Sequence, residues 1–400
     1  MKVPSDERCQ TQAFPTEILW FSQLFGGFPL TYSSDKNGNK RLRFSLTVFM
    51  WGLVVVIMET VLLIVWLGTI YSEAFWGQHV ERISNTTLMV VTLDVCSMTV
   101  MIAVVFITYV RKYQSIITAG ELIETVDRNL QHKINDFWTK IRVFSILVLV
   151  VTVLAYSGIT ERKRPLYAEI QFLGLSKSMV SHIPVINVSC TQAAVFVHFT
   201  YITNSIAKRF KVNNTRIKQE VARMSSIGKS VTCEEKKKSN CELEVLIDNY
   251  WMLCNAVHKA NNFYSAQLLV TILSMFFHIT IDVYYFIVHI TNGDIVFITT
   301  DGAWVLLHVC HLILLIRPTS EVTDSADETA PIVCKLINKS PDPALRRQLE
   351  TFLLQLPNHK ARFSALGFFD LKTDILTSMA GVVTTYVVIL LEFQPKNETI

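Results

Sequence analysis

Seven long apolar stretches divide this chain, and they constrain its fold more than any other feature. An α-helix needs about 20 mostly apolar residues to cross the hydrocarbon core of a membrane. Stretches that meet this requirement, the fourth of them unusually polar, lie at 44–70, 88–110, 141–159, 179–207, 266–290, 295–316 and 375–393. Only 18% of the residues are charged, too few for the surface of soluble domains of this total length. The sequence therefore predicts an all-α, polytopic membrane protein with seven spans.

Lysine and arginine are distributed unevenly between the spans. Segments 1–43, 111–140, 208–265 and 317–374 hold thirty of these residues, whereas the alternating segments hold six. Because cytoplasmic segments of membrane proteins are the basic ones, we predict a cytoplasmic amino terminus and an extracellular carboxyl terminus. Glycosylation sequons at Asn85 and Asn397 fall in predicted outside segments, and the sequon at Asn213 falls inside, where it is predicted to be silent.

The cytoplasmic segments contain further helical patterns. Apolar residues recur with a helical period between 242 and 262, which predicts an extension of span five, and 343–355 is also predicted to be helical. A third stretch, Phe363–Lys372, is predicted as a helical lead-in to the last span. The rest of 208–265 and 317–374 is expected to be loop.

Several functional classes are excluded or disfavoured. A G-protein-coupled receptor requires the opposite topology, and seven spans do not divide into the two equal halves typical of a secondary transporter. The sequence has no Walker, nucleophile-elbow, zincin or dinucleotide motif, so an enzyme is not expected. A net charge of +4 does not favour nucleic-acid binding, and neither a cofactor nor a metal site is predicted.

The last span carries a short motif. Thr385-Tyr386 is followed by five apolar residues and then by Glu392-Phe393, with Gly367-Phe-Phe-Asp-Leu371 upstream. This arrangement resembles the insect gustatory receptor family, whose motif has glutamine where this chain has Glu392. The motif covers about thirty residues. The predicted topology, seven spans with a cytoplasmic amino terminus, agrees with that family over the whole chain.

The resemblance implies a plasma-membrane receptor that acts as a ligand-gated, non-selective cation channel and self-associates as a tetramer or with related subunits. It implies ligand-side helices at 44–207, spans five and six at 266–316, anchor helices within 317–374, a pore-lining span at 375–393 and an extracellular tail at 394–400. A shared face of the last helix is then expected to line the pore through Gly381, Thr385, Val388, Leu391 and Glu392. Four copies of Glu392 would form a cation-attracting ring.

Ionisable and aromatic residues in the outer parts of the spans are candidates for ligand binding. Spans five and six form an antiparallel hairpin, and the candidates on it and on span four are Asp282, Tyr285, Asp301, Trp304, His182 and Thr191. Carboxylates and an aromatic face suit a sugar or polyol, whereas a cationic bitter compound is the main rival. A buried polar network that fixes helix register is the alternative.

Other intramembrane polar residues have less defined roles. His308 and His311 have no acidic partner that the sequence identifies, so a structural hydrogen-bonding role is predicted for them. Glu59 and Asp94 either pair with a histidine or face the pocket. A seven-span metabotropic chemoreceptor that signals through a partner protein remains the alternative function.

Overall fold

The chain folds predominantly into α-helices. The computed structural model describes residues 14–34, 40–76, 85–131, 137–161, 171–172, 175–226, 233–339 and 343–393. Each predicted span lies on a helix, and in chain order these are α2 (Leu46–Trp76), α3 (Asn85–Leu130), α4 (Phe137–Glu161), α5 (Lys177–Ser226), α6 (Cys233–Asn292), α7 (Ile295–Asp327) and α10 (Asp374–Glu392). Six of them, all but α4, carry described windows that are long and apolar enough to cross a membrane.

Shorter elements complete the fold. Helix α1 (Thr16–Leu24) precedes an antiparallel hairpin of β1 (Leu30–Ser34) and β2 (Lys40–Phe44), in which Tyr32 pairs with Leu42. Two-residue strands β3 (Gln171–Phe172) and β4 (Leu175–Ser176) precede α5. Between α7 and α10 lie α8 (Thr329–Lys339), α9 (Pro343–Gln355), a 3₁₀ turn (Leu356–Asn358) and strands β5 (Ser364–Ala365) and β6 (Phe369–Asp370).

Three helices are much longer than a membrane is thick. At 1.5 Å per residue, the 46, 50 and 60 residues of α3, α5 and α6 give lengths of roughly 70 to 90 Å. Their extensions and that of α7 pack with α8 and α9 into a second bundle, the anchor bundle, comprising 111–130, 208–226, 233–262, 317–339 and 343–355. The helices predicted at 242–262 and 343–355 are confirmed.

The expectation of loops in much of 208–265 and 317–374 is wrong. Helix α5 continues to Ser226 and α7 to Asp327, past Pro318. Apolar side chains beyond the spans, among them Ile217, Leu253 and Val322, are buried against one another. This packing sustains the helices where the charged sequence suggests solvated loops.

A buried ion pair joins two helices of the anchor bundle. Arg209 on α5 donates from Nε to Asp127 Oδ1 on α3 at 2.8 Å, and a second guanidinium nitrogen contacts the other carboxylate oxygen. Nearby, Asn214 donates to the Ser325 carbonyl at 2.6 Å and accepts from Thr329 at 2.8 Å. These bonds satisfy polar groups that the apolar surroundings would otherwise leave unpaired.

The amino-terminal segment folds back into the helical bundle. The Tyr32 hydroxyl donates to the Phe14 carbonyl at 2.8 Å, and burial raises the pKa of this phenol. Phe28, held at a φ of 56°, is fully buried and stacks on His198 of α5 at a ring separation of 4.3 Å. Gly52 on α2 lies so close to the Gly26 carbonyl that an added Cβ would be 2.6 Å from its oxygen.

The predicted helical lead-in at Phe363–Lys372 is wrong. This stretch is the β5–β6 hairpin, in which Ser364 pairs with Asp370. Leu366 and Gly367 adopt positive φ angles of 51° and 81°, which a helix does not accommodate. The Asn261 carboxamide of α6 holds the hairpin by accepting from the Ser364 backbone N–H at 2.9 Å.

Candidate functional site

The α6–α7 hairpin positions most of the predicted ligand-binding residues. Its turn is Gly293-Asp294, and Gly293 adopts a φ of 76°. In an antiparallel helical hairpin, facing residues are equally far along the chain from one central position, which here is Ile295, the first residue of α7. His289 and Asp301 are equally far along the chain from Ile295, and so are Asp282 and His308. The structure joins both pairs.

The pair nearer the turn is His289 and Asp301. His289 Nδ1 lies 2.6 Å from Asp301 Oδ2, and both side chains are mostly buried. The imidazole stacks on Phe297 at 5.1 Å and on Tyr285 at 6.2 Å. Aromatic rings on both sides therefore hold the imidazole against the carboxylate.

The second pair lies about two turns deeper. His308 Nδ1 is 3.0 Å from Asp282 Oδ2, and the His308 ring stacks on Trp304 at 5.7 Å. Its ring also stacks on His278 of α6 at 5.1 Å, with the two planes 7° apart. His278 Nδ1 in turn lies 2.7 Å from Asp94 Oδ1 on α3. The cluster thus runs from carboxylate to imidazole to imidazole to carboxylate across α3, α6 and α7.

The sequence identified no acidic partner for His308, whereas the structure places Asp282 within hydrogen-bonding distance, a contact of the hydrogen-bonding kind predicted for this histidine. Sequence reasoning also missed the pairing of His289 with Asp301 and chose no partner for Asp94. Both α6–α7 pairs are centred on Ile295, so either pair gives the register that predicts the other. No comparable signal identifies Asp94–His278, which depends on how α3 packs against α6.

One of the two predicted residues of span four, Thr191, is not brought to this cluster. The Thr191 hydroxyl donates instead to the Phe25 carbonyl of the amino-terminal segment at 3.3 Å. The side chain of His182 lies outside the described residues, as do those of Asn85 and Asn397. His311 is buried and stacks on Phe196 at 4.7 Å, and its ring nitrogens have no partner among the described residues.

An apolar groove of about 410 Å³ lies elsewhere on the hairpin. It is lined by Val283, Phe286, Gly302, Val305, Leu306 and Val309. None of the predicted ligand-binding residues contributes to its lining. The groove is therefore separate from the carboxylate–imidazole pairs.

Helix α10 carries the predicted pore residues. Its buried side chains are Met379, Val383 and Val387, one turn apart, and the helix packs on α6. Tyr386 contacts Phe276 of α6 edge-on at 5.8 Å but stays half exposed. Four candidate pore residues, Gly381, Thr385, Val388 and Glu392, are exposed, whereas Leu391 is half-buried and follows Val387 by one turn on the buried row.

Comparison with known proteins agrees with this architecture. The model of the 7tm chemosensory receptor family matches residues 18–397. The chain is 28% identical over 162 residues to the Drosophila melanogaster gustatory receptor for sugar taste 43a. This alignment covers 40% of this chain and 38% of that protein. It is 27% identical over 150 residues to the putative gustatory receptor 28b of the same species, over 36% and 32% of the two chains. The alignments thus span about a third of these relatives' length.

The fold resembles that of an insect olfactory receptor. The structure of OR5 from Machilis hrabei aligns with a TM-score of 0.66 over 94% of this chain and 97% of that one, at 11% identity. The same receptor in complex with eugenol aligns with a TM-score of 0.68. At this identity the likeness concerns the fold alone.

Proposed function

Since this chain belongs to the 7tm chemosensory receptor family, we propose that it is a ligand-gated, non-selective cation channel opened by a tastant. The receptor is a multi-pass membrane protein of the insect gustatory type, not an enzyme. In the proposal, four subunits surround one pore lined by α10, with Glu392 near its outer end.

The exposure of α10 is the observation that carries this proposal. Only 17% of its membrane window is buried within the chain. The uncovered surface includes small and polar residues, namely Gly381, Thr384, Thr385 and Glu392. A helix that faced only lipid would not need this polar surface. A helix that lines a water-filled pore between subunits would, and Val388, 49% exposed, then provides an apolar constriction.

Whole-cell current from this chain expressed alone tests the channel. A panel of sugars, polyols and bitter compounds is expected to include an agonist that evokes a fast cation current. Silence with surface protein confirmed, together with a second-messenger response to the same agonist, would contradict the channel and favour a metabotropic receptor.

The hairpin is the proposed ligand site, and a sugar or polyol is favoured over a bitter amine. Asp282 and Asp301 offer acceptors for hydroxyl groups, while Tyr285 and Trp304 offer aromatic surfaces. Among the relatives, one name specifies sugar taste and another, the gustatory receptor for bitter taste 93a, specifies bitter taste. The names of the relatives therefore favour neither of the two ligand classes.

A further inference from the structure

We infer that His289 and His308 are specificity-determining residues that neutralise the two hairpin carboxylates and thereby make the site select neutral, hydroxylated ligands over cationic amines. This inference rests on the proposed ligand site and names the class of ligand that the site accepts.

The first step concerns what a cationic amine needs. Recognition of such a ligand in an apolar setting uses a carboxylate as counter-charge and an aromatic face for cation–π contact. Asp282 and Trp304 are the hairpin residues that supply both. His308 already contacts both of them, at 3.0 Å from the Asp282 oxygen and 5.7 Å from the Trp304 ring. The His308 ring therefore occupies the position that the charged group of an amine would take.

The second step concerns charge. A lone carboxylate at membrane depth is costly, whereas a carboxylate paired with an imidazolium has no net charge. Asp94 and His278 form a second pair of this kind beside the first. Among the described residues, His311 on α7 is a further titratable neighbour of His308, and it adds no negative charge. The cluster thus gives an approaching cation no uncompensated negative group.

The third step concerns the carboxylate oxygens that remain available to accept hydrogen bonds. Each histidine contacts one oxygen of its carboxylate, Oδ2 in both pairs. The Asp282 side chain retains 22% exposure and that of Asp301 16%. A carboxylate has lone pairs for more than one donor, so the other oxygen can still accept from a hydroxyl group. The two paired carboxylates can therefore still bind hydroxyl groups although they no longer attract cations.

Replacing His308 by glutamine tests the inference, because glutamine cannot carry the compensating charge. Choline and 3,3-dimethyl-1-butanol serve as probes, since they share size and shape and differ in charge. The readout is the rise in Tm of the purified receptor with increasing probe, which does not depend on channel activity. Wild type is expected to bind choline no better than the neutral alcohol, and H308Q to prefer choline by roughly tenfold or more.

Two further variants separate specificity from structure. H308Q combined with D282N is expected to lose the gained preference, because no uncovered carboxylate remains. H311Q is the matched control, since it removes a buried imidazole of the same helix that has no carboxylate partner among the described residues. H289Q tests the outer pair independently, should H308Q not fold.

An unchanged preference in both H308Q and H289Q would overturn the inference, as would an equal gain in H311Q. A wild-type receptor that already prefers choline would also overturn it. A gain in binding preference, together with a second-messenger response and no agonist-evoked current, would support the inference while contradicting the proposed channel.

Discussion

At the scale of single residues, Gly52 and the Arg209–Asp127 ion pair are positions where close packing makes substitution costly. Gly52 lets the amino-terminal segment approach the backbone of α2, and Arg209 is buried with its carboxylate partner Asp127. Both positions join parts of the chain that are distant in sequence. Their effects on stability are therefore tests of the tertiary structure itself.

Gly52→Ala is expected to lower the Tm of the purified receptor. The added methyl group would lie 2.6 Å from the Gly26 carbonyl oxygen, so the two backbones must separate, at a cost of roughly 1–3 kcal/mol. Gly68→Ala on the same helix is the control, because nothing lies within 4 Å of its added Cβ. A similar Tm for both variants would show that the amino-terminal segment does not pack on α2 as described.

Asp127→Asn is expected to destabilise the anchor bundle by about 3–5 kcal/mol, because Arg209 would keep a buried charge without its counter-charge. Lys211→Ala is the control, since the Lys211–Glu321 pair is exposed, with 54% and 31% of the two side chains accessible, and its loss costs less than about 1 kcal/mol. Thermal unfolding of both variants measures the difference. Equal Tm values would argue against a buried pair.

At the scale of elements, α10 and the α6–α7 hairpin use different kinds of contact. The hairpin is held by polar pairs between its two helices, whereas α10 has one buried apolar row and an otherwise uncovered surface. The first arrangement fixes side-chain positions within one chain. The second leaves a helix whose remaining contacts must come from lipid, water or another subunit.

Glu392→Gln is expected to reduce divalent cation permeability several-fold while the receptor still reaches the surface. The substitution keeps the shape of the side chain and removes the four charges of the proposed ring. Reversal potentials in calcium and sodium solutions measure the change. Asp374→Asn, at the opposite end of α10, is the control on the same helix. Permeability ratios identical to wild type would remove Glu392 from the pore.

At the scale of the whole molecule, the alternating direction of the spans gathers the extensions of α3, α5, α6 and α7 at one end of the bundle. The basic segments of the sequence lie at that same end, and the positive-inside rule predicts that it is cytoplasmic. The fold does not depend on which side of the membrane this end faces. The orientation therefore needs a test of its own.

Glycan mapping tests the orientation. Asn397→Gln and Asn85→Gln are each expected to remove one glycosidase-sensitive mass shift of the receptor. Asn213→Gln is expected to remove none, since its side chain is fully buried and donates to the Leu246 carbonyl at 3.1 Å. Loss of a glycan only in a variant of a predicted cytoplasmic sequon would reverse the predicted topology.

The amino-acid sequence by itself indicated that each of its seven apolar stretches lies on a helix, and it indicated the family and the helical character of 242–262 and 343–355. These properties depend on local hydrophobicity and period, because a membrane forces each apolar stretch to satisfy its own backbone hydrogen bonds. The sequence predicted the antiparallel hairpin of spans five and six but not its pairs Asp282–His308 and His289–Asp301.

Only the tertiary structure decided the remaining contacts. Helix packing brings Asp94 to His278, Asp127 to Arg209, and Phe25 to Thr191. It also keeps α5 and α7 helical beyond the membrane and turns Phe363–Lys372 into a hairpin. The reason is that burial between helices distant in sequence stabilises the fold by an amount that no local pattern reveals. This stabilisation overrides the intrinsic secondary-structure preference of a short polar segment.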